Sequence, residues 1–149
     1  MPGLMKSFLE KNLKKNNEAD LLAIELATAA LLVEMIRRDD DVSDDEKEVV
    51  LTMLKNSFSL NEEQTTELYT MAETAVKKTT DFSQYTDLIN QQFSYQNKLQ
   101  MIELLWKIAL SDKQLHREEM YFVQEISELL AVSQEDFDIC RDRVRDDYM

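Results

Sequence analysis

Beyond its third residue the chain contains neither glycine nor proline, because the only two examples are Pro2 and Gly3. Phosphate-binding loops of the Walker A and Rossmann types need glycine, since only glycine lets the backbone approach the phosphates closely enough. Tight β-hairpins also depend on glycine in their turns, so β-sandwiches and barrels are disfavoured. With 149 residues, of which 44% are hydrophobic, the chain is long enough to bury a core. The sequence therefore predicts an all-α fold.

The charge balance limits the partners of this chain. It carries 17 basic and 30 acidic residues, a net charge of −13. Such a surface repels nucleic-acid phosphates, so we expect no nucleic-acid binding; a cation or a basic protein surface is the better match. Cys140 is the only cysteine, which excludes an intramolecular disulfide and suits a reducing compartment. Neither a signal peptide nor a bilayer-spanning stretch is recognisable, and we expect a cytoplasmic protein.

Residues 1–17 form a segment distinct from the domain predicted for residues 18–149. Within it, residues 4–15 have the pattern of a short amphipathic helix. Its apolar positions are Leu4, Met5, Phe8, Leu9 and Leu13, and its basic ones are Lys6, Lys11, Lys14 and Lys15. So few apolar residues bind lipid weakly, which favours packing on the bundle or on another subunit over contact with a membrane surface.

Hydrophobic periodicity predicts a compact bundle of about seven or eight helices. Two of them, near residues 20–38 and from Ser94 to about 110, are apolar on nearly every side, which is typical of central helices. The remaining helices begin after Ser43, after Asn61, near residue 81, near 117 and near 134. Ser43 with Glu46, and Asn61 with Gln64, have the spacing of capping boxes.

The chain also repeats itself. Residues 31–53 align with residues 104–126 at a constant offset of 73, and the identical pairs include Asp39 with Asp112 and Glu46 with Glu119. Each unit, about 21–79 and about 94–146, runs from an apolar helix through a turn to an amphipathic helix and a capped helix. Two such units predict a pseudo-twofold bundle around the two apolar helices.

The first turn region, residues 39–48, holds seven acids and one lysine. Clustered carboxylates suit a hard cation such as Ca²⁺, Mg²⁺ or Mn²⁺, which neutralises their mutual repulsion. A purely structural interpretation is also open, because Ser43 and Glu46 form a capping box and acids favour the first turn of a helix. An EF-hand is excluded, since Asp44 and Val50 stand where its loop needs glycine and glutamate.

The second turn helps to separate these interpretations. Its cap position holds His116, a weak cap, and most of the acidic excess is gone. Asp112 and Glu119 nevertheless keep the same spacing. Capping therefore explains Glu46 well and Glu119 poorly, which strengthens the metal interpretation and leaves the structural one open beside it.

The twice-used pattern of an apolar helix, an aspartate, a short turn, an aliphatic residue and a glutamate resembles the tellurite-resistance protein B (TerB) family. The resemblance spans about residues 20–143. It implies a repeat-built helical bundle with a divalent-metal site at the acidic positions, which are here Asp39, Glu46, Asp112 and Glu119. The sequence departs from the family pattern where a glycine should follow each aspartate, since Asp40 and Lys113 stand there.

No catalytic constellation is recognisable. His116 is the only histidine, which excludes a three-histidine zinc site and the Glu-x-x-His pairs of di-iron bundles. Cys140 lies on an apolar stripe, which indicates packing. No serine, threonine or cysteine belongs to a known nucleophile motif. Hydrolysis at a carboxylate-bound metal is disfavoured, because no general base is visible.

We therefore predict a non-enzymatic TerB-like module that binds a divalent cation and acts in a stress or tellurite-resistance type of response. Asp40, Asp41 and Asp45 are expected to assist the four ligands. The alternative is a metal-independent scaffold whose acidic surface docks a protein partner, and self-association fits either function. The carboxylates of the predicted site suit Ca²⁺, Mg²⁺ and Mn²⁺ alike.

Overall fold

A computed structural model describes residues 18–38, 42–111 and 116–148, and these residues form seven α-helices and no strand. The helices are α1 (Glu18–Arg37), α2 (Asp44–Phe58), α3 (Glu62–Lys77), α4 (Ser83–Gln92), α5 (Tyr95–Leu110), α6 (Arg117–Leu129) and α7 (Gln134–Tyr148). The all-α prediction is confirmed, and these helices begin and end within a few residues of their expected bounds. The helix predicted for residues 4–15 lies outside the described residues.

Short connections make successive helices antiparallel, so α1, α3, α5 and α7 run in one direction and α2, α4 and α6 in the other. The guanidinium of Arg38, after the end of α1, lies over Phe82 at the start of α4 and over Phe122 near the start of α6. At the opposite end, the hydroxyl of Tyr95, where α5 begins, donates to Asp136 in the first turn of α7. We call the end where α1 and α5 finish the acidic-turn end, and the other the amino end.

Helix α1 lies at the centre of the bundle and contacts α2, α3, α4, α5 and α6. From Ala27 to Ile36 every hydrophobic side chain of α1 is fully buried. Helix α5 is the second central element and packs on α7, where the Trp106 and Phe137 rings lie 5.4 Å apart between centroids. None of the described helices is long and apolar enough to cross a lipid bilayer.

Helices α2 and α6 are each followed by a residue in the left-handed conformation, and neither residue is a glycine. Ser59 has φ 55° and Ala131 has φ 58°. The two residues occupy equivalent places in the repeat, since residues 58–63 align with residues 130–135. Within each unit the first helix packs chiefly on the third, α1 on α3 and α5 on α7. These observations agree with the repeat, and the twofold symmetry of the bundle stays a prediction.

The left-handed residue at Ala131 gives a first testable prediction. An L-residue in this conformation costs about 1–2 kcal/mol, and glycine avoids that cost but makes the unfolded chain more flexible. We expect Ala131→Gly to raise the free energy of unfolding by about 0.5–1 kcal/mol, measured by urea denaturation. Ala75→Gly, inside α3, is the matched control and should lower it by about 1 kcal/mol. Equal losses in both variants would contradict the left-handed assignment.

Candidate functional site

Glu46 lies in the first turn of α2, directly after the first acidic turn. The backbone N–H of Glu46 donates to the Ser43 hydroxyl oxygen at 3.1 Å, and the backbone N–H of Ser43 donates to Glu46 Oε1 at 3.3 Å. The Ser43 hydroxyl donates to the same carboxylate oxygen at 3.2 Å. The predicted capping box is therefore confirmed. It holds Glu46 at an exposure of only 6%, whereas Asp44 and Asp45 beside it are exposed.

Tyr69 of α3 lies close enough to the start of α2 for the charge there to affect the pKa of its phenol. Burial, the charge of Glu73 and the charge of Glu46, in decreasing order, raise the pKa of the Tyr69 phenol to about 12. The ammonium of Lys47 lies 5.2 Å from the centre of the same ring. Tyr69 therefore connects α3 to the first turn of α2, where the Glu46 carboxylate is held.

Glu119 is the matched residue of the second unit and stands third in α6. Its exposure is 1%, whereas Glu118 immediately before it is exposed. The N-cap residue of α6 is His116, which makes no side-chain hydrogen bond to the helix start. The α6 start therefore lacks the side-chain cap that Ser43 gives to α2, although a glutamate is buried third in both helices. Burial of a carboxylate is costly unless it is paired, hydrogen-bonded or bound to a cation.

An ion-pair cluster at the end of α1 ties this helix to α4 and α6. Glu34 Oε1 accepts a hydrogen bond from Arg37 Nη1 at 3.0 Å, and Glu34 Oε2 lies 2.8 Å from Arg38 Nε. The second contact is an ion pair only, because the buried Arg38 Nε has no hydrogen-bond partner of good geometry among the described residues. The Arg38 guanidinium lies 4.5 Å from the ring centre of Phe122 and 5.7 Å from that of Phe82. Arg38, the last described residue before the first acidic turn, thus lies beside Phe122 of α6.

A cleft of about 500 Å³ lies beside this cluster, between the ends of α1 and α3, the loop before α4 and the start of α6. Its charged lining includes Arg37, Arg38 and Lys77, but also Glu34 and Glu118. Bases in the last turn of a helix complement the partial negative charge of its carbonyl groups. The positive charge of this cleft is therefore explained by the helix ends and does not define an anion site.

Of the four predicted metal ligands, the structure describes Glu46 and Glu119. Asp39 and Asp112, with the assisting residues Asp40 and Asp41, lie outside the described residues, and Asp45 is exposed on α2. Over residues 18–38, 42–111 and 116–148 no three Asp, Glu, His or Cys side chains come together as a metal site. The carboxylate donors suit a hard cation, but a complete site needs Asp39 and Asp112.

Cys140 and His116 have the surroundings expected from the sequence. The Cys140 thiol is buried and donates to the backbone carbonyl of Leu99 at 3.7 Å. Burial, followed by the charge of Glu103, raises its pKa to about 11, so the reactive thiolate is scarce at neutral pH. His116 precedes α6 as its N-cap residue and has an extended backbone.

The fold and this site together define a class: an all-α bundle around two apolar helices, each followed by a turn and a helix whose third residue is a buried glutamate. Residues 25–142 match the family model of the tellurite resistance protein TerB, and the chain belongs to this family. The resemblance inferred from the two turns is thereby confirmed. Comparisons with curated proteins and with solved structures gave no significant match.

Sequence reasoning missed the residues that support this end of the bundle, chiefly Glu34, Arg38 and Tyr69. Glu34 and Arg38 have the i,i+4 spacing of a helical ion pair, which is a signal that could have been used. The stacking of Arg38 on Phe82 and Phe122 has no such signal, because the rings are distant in the chain. Only the packing of α4 and α6 against the end of α1 brings them together.

The cap of α2 gives the second prediction. Ser43→Ala removes the side-chain oxygen that accepts from the N–H of Glu46, and should lower the free energy of unfolding by about 1 kcal/mol. Thr52→Ala changes an exposed residue of the same helix and should stay within about 0.5 kcal/mol of wild type. Urea denaturation measures both, and equal effects of the two variants would contradict the capping role.

The third prediction concerns Tyr69 at alkaline pH. Its pKa is raised from 10 to about 12, so the folded state favours the neutral phenol. The associated stability is complete below pH 10 and is lost as the pH rises towards 12. Phenolate absorbance of wild type minus that of Tyr69→Phe should give a midpoint near 12, and the difference in their unfolding free energies should shrink over this range. A midpoint near 10 would contradict the burial of this phenol.

Proposed function

We propose that this chain is a non-enzymatic TerB-family module that binds one divalent cation at its acidic-turn end, through Asp39, Glu46, Asp112 and Glu119. One observation carries the proposal: Glu46 and Glu119 are buried at matched positions of two helices, whereas the acids beside them are exposed. Carboxylate oxygens at two matched helix starts are the ligands that a hard divalent cation prefers.

The helix directions support a single site rather than two. Helices α2 and α6 both begin at the acidic-turn end, so both glutamates belong to the same end of the bundle. Asp39 follows Arg38 in the chain, and the Arg38 guanidinium lies over Phe122 of α6, one turn after Glu119. Contact between α1 and α6 and between α2 and α5 draws the two units together at their centre.

The ligand chemistry favours Ca²⁺, Mg²⁺ or Mn²⁺. These hard cations bind carboxylate oxygens, whereas Zn²⁺ prefers the nitrogen and sulfur of histidine and cysteine. Cys140 is buried at α7 away from this end, and His116 is the only histidine of the chain. Asp40, Asp41 and Asp45 supply further negative charge, and Lys113 next to Asp112 reduces it.

We further propose that cation binding, rather than catalysis, is how the module acts in a stress or tellurite-resistance type of response within the cytoplasm. A cation that links the ends of α1 and α5 to the starts of α2 and α6 stiffens the surface around both turns. A protein partner or a second copy of the chain would then recognise the stiffened surface. This mechanism needs no general base.

The alternative is a metal-independent scaffold, and one observation favours it. Asp44, Asp45 and Glu48 of α2 are all exposed, so the first turn of this helix presents an acidic surface to solvent. Such a surface attracts a basic protein face without any cation. The two functions differ in their response to metal, which the following experiment measures.

The fourth prediction tests metal binding by thermal unfolding of the full chain after EDTA treatment and dialysis. Ca²⁺, Mg²⁺ and Mn²⁺ are added separately at millimolar concentration, with Zn²⁺ as the soft comparison. A ligand at about 100 times its Kd stabilises the native state by about 2.7 kcal/mol. For a chain of this size we expect the favoured hard cation to raise Tm by about 5–10 °C.

Matched variants assign the effect to the buried pair. Glu46→Gln keeps an acceptor for the capping box, so it removes charge with little change to the helix start. Glu46→Gln and Glu119→Gln should each abolish most of the metal-dependent rise in Tm. The neighbouring exposed residues give the controls Glu48→Gln and Glu118→Gln, which should retain it. Absence of a rise with every hard cation would overturn the proposal and leave the scaffold function.

A further inference from the structure

We propose that residues 4–15 fold back as an amphipathic helix onto the amino end of the same chain's bundle. Its apolar side would cover Leu22 and Leu26 of α1, and its lysines would face the acidic first turns of neighbouring helices. This end is opposite to the acidic turns, so the inference is independent of metal binding.

One side of α1 near its start presents apolar surface to solvent. Leu22 is 47% exposed, and Ala23 and Leu26 on the same side of the helix are only partly buried. One and two turns further along this stripe, Ala29, Ala30 and Val33 are completely buried. The described helices therefore leave part of the apolar side of α1 uncovered near its start, which follows residues 1–17 in the chain.

The residue that matches Leu22 in the second unit is also exposed, but it has a polar group that makes hydrogen bonds at the surface. Tyr95 takes the place of Leu22 at the repeat offset of 73, and its exposure is 40%. Its hydroxyl donates to Asp136 at 2.6 Å and accepts from the backbone N–H of Ser133 at 3.2 Å. Tyr95 thus presents a polar group at the surface, whereas Leu22 has only hydrocarbon to expose.

Charge complementarity identifies the cover. Residues 1–17 carry four lysines and one glutamate, a net charge of +3, while the remaining residues carry 13 bases and 29 acids, a net charge of −16. At the amino end, α3 begins with Glu62 and Glu63, and α7 has Glu135 and Asp136 in its first turn. The sequence of α1 adds further acids within its first three residues. The basic segment is therefore joined to the end of the bundle at which these acidic first turns lie.

The connection is short enough to fix the direction of packing. Only Asn16 and Asn17 separate the predicted helix from α1, and short helix connections produce antiparallel neighbours. A helix of 12 residues is about 18 Å long, which equals the length of the first 12 residues of α1. Phe8 is the eighth residue back from residue 15, and Leu26 is the ninth residue from the start of α1. In an antiparallel pair the two side chains therefore lie at about the same level along the helices.

A disulfide experiment on the full chain forms the fifth prediction. The variant Phe8→Cys/Leu26→Cys is oxidised with copper phenanthroline, and mass spectrometry of its peptides locates the disulfide. We expect a monomer in which most molecules contain a disulfide between positions 8 and 26. Cys140 gives little background, because its thiol is buried.

The matched control is Phe8→Cys/Tyr121→Cys. Tyr121 has the most exposed large apolar side chain among the described residues, at 63%, so a thiol at this position is accessible to the oxidant. It stands fifth in α6 and therefore lies near the acidic-turn end. We expect no link within the chain in this variant.

Each other outcome overturns the proposal. A disulfide between two chains would show that the segment covers a second copy, and absence of any link would show that it does not lie on α1. Binding of the wild-type chain to vesicles of anionic phosphatidylglycerol, with loss of the link in their presence, would assign the segment to a lipid surface. Equal linking in the control would show that the reaction reports random encounters.

Hydrogen exchange tests the cover without cysteines. Leu9→Asp/Leu13→Asp in the full chain places two negative charges on the apolar side of the segment. Amide exchange over residues 22–26 should then become at least about tenfold faster, while the matched residues 95–99 of α5 keep their rate. Lys77→Gln/Lys78→Gln, which makes the net charge more negative by the same amount at the other end, should leave both ranges unaltered. Unchanged exchange over residues 22–26 in the aspartate variant would contradict the proposal.

Discussion

The burial of α1 on every side from Ala27 to Ile36 is the constraint on which this structure depends. A helix with apolar residues on every side cannot lie at a surface, so helices α2 to α6 are arranged around it. Short connections then force alternating directions, which bring the starts of α2 and α6 to one end and the starts of α1, α3, α5 and α7 to the other. Both the candidate metal site and the proposed cover of the amino end follow from this division.

The two ends bear negative charge in different ways. At the acidic-turn end, Glu46 and Glu119 are withdrawn from solvent, and the arginines at the end of α1 are shared with Glu34 and two aromatic rings. At the amino end, the acids of α3 and α7 stand in the first turns of their helices, where the helix dipole favours them. Buried carboxylates need hydrogen bonds or a specific counter-charge, whereas first-turn acids tolerate water or lysine side chains.

Most of the fold was predictable because local signals and packing agree in this chain. The caps at Ser43, Asn61 and Ser94 are where their spacing indicated, and the two apolar runs are the central helices. Ser59 and Ala131 escaped prediction, because a left-handed residue other than glycine gives no sequence signal. The repeat singled out Glu119 as the match of Glu46 but did not predict its burial, and the stacking of Arg38 depends on helices far along the chain. Asp39 and Asp112 stay predictions from spacing.

Paramagnetic NMR with Mn²⁺ tests the central claim, that one cation site joins the two turns. Substoichiometric Mn²⁺ broadens the signals of nuclei close to the bound ion. The account predicts simultaneous broadening of amides around residues 42–46 and 116–119, reversed by excess Mg²⁺ or Ca²⁺, with residues 62–66 and 134–138 unaffected. Equal broadening at every exposed acidic helix start would contradict a shared site. Broadening at only one of the two turns would contradict it as well.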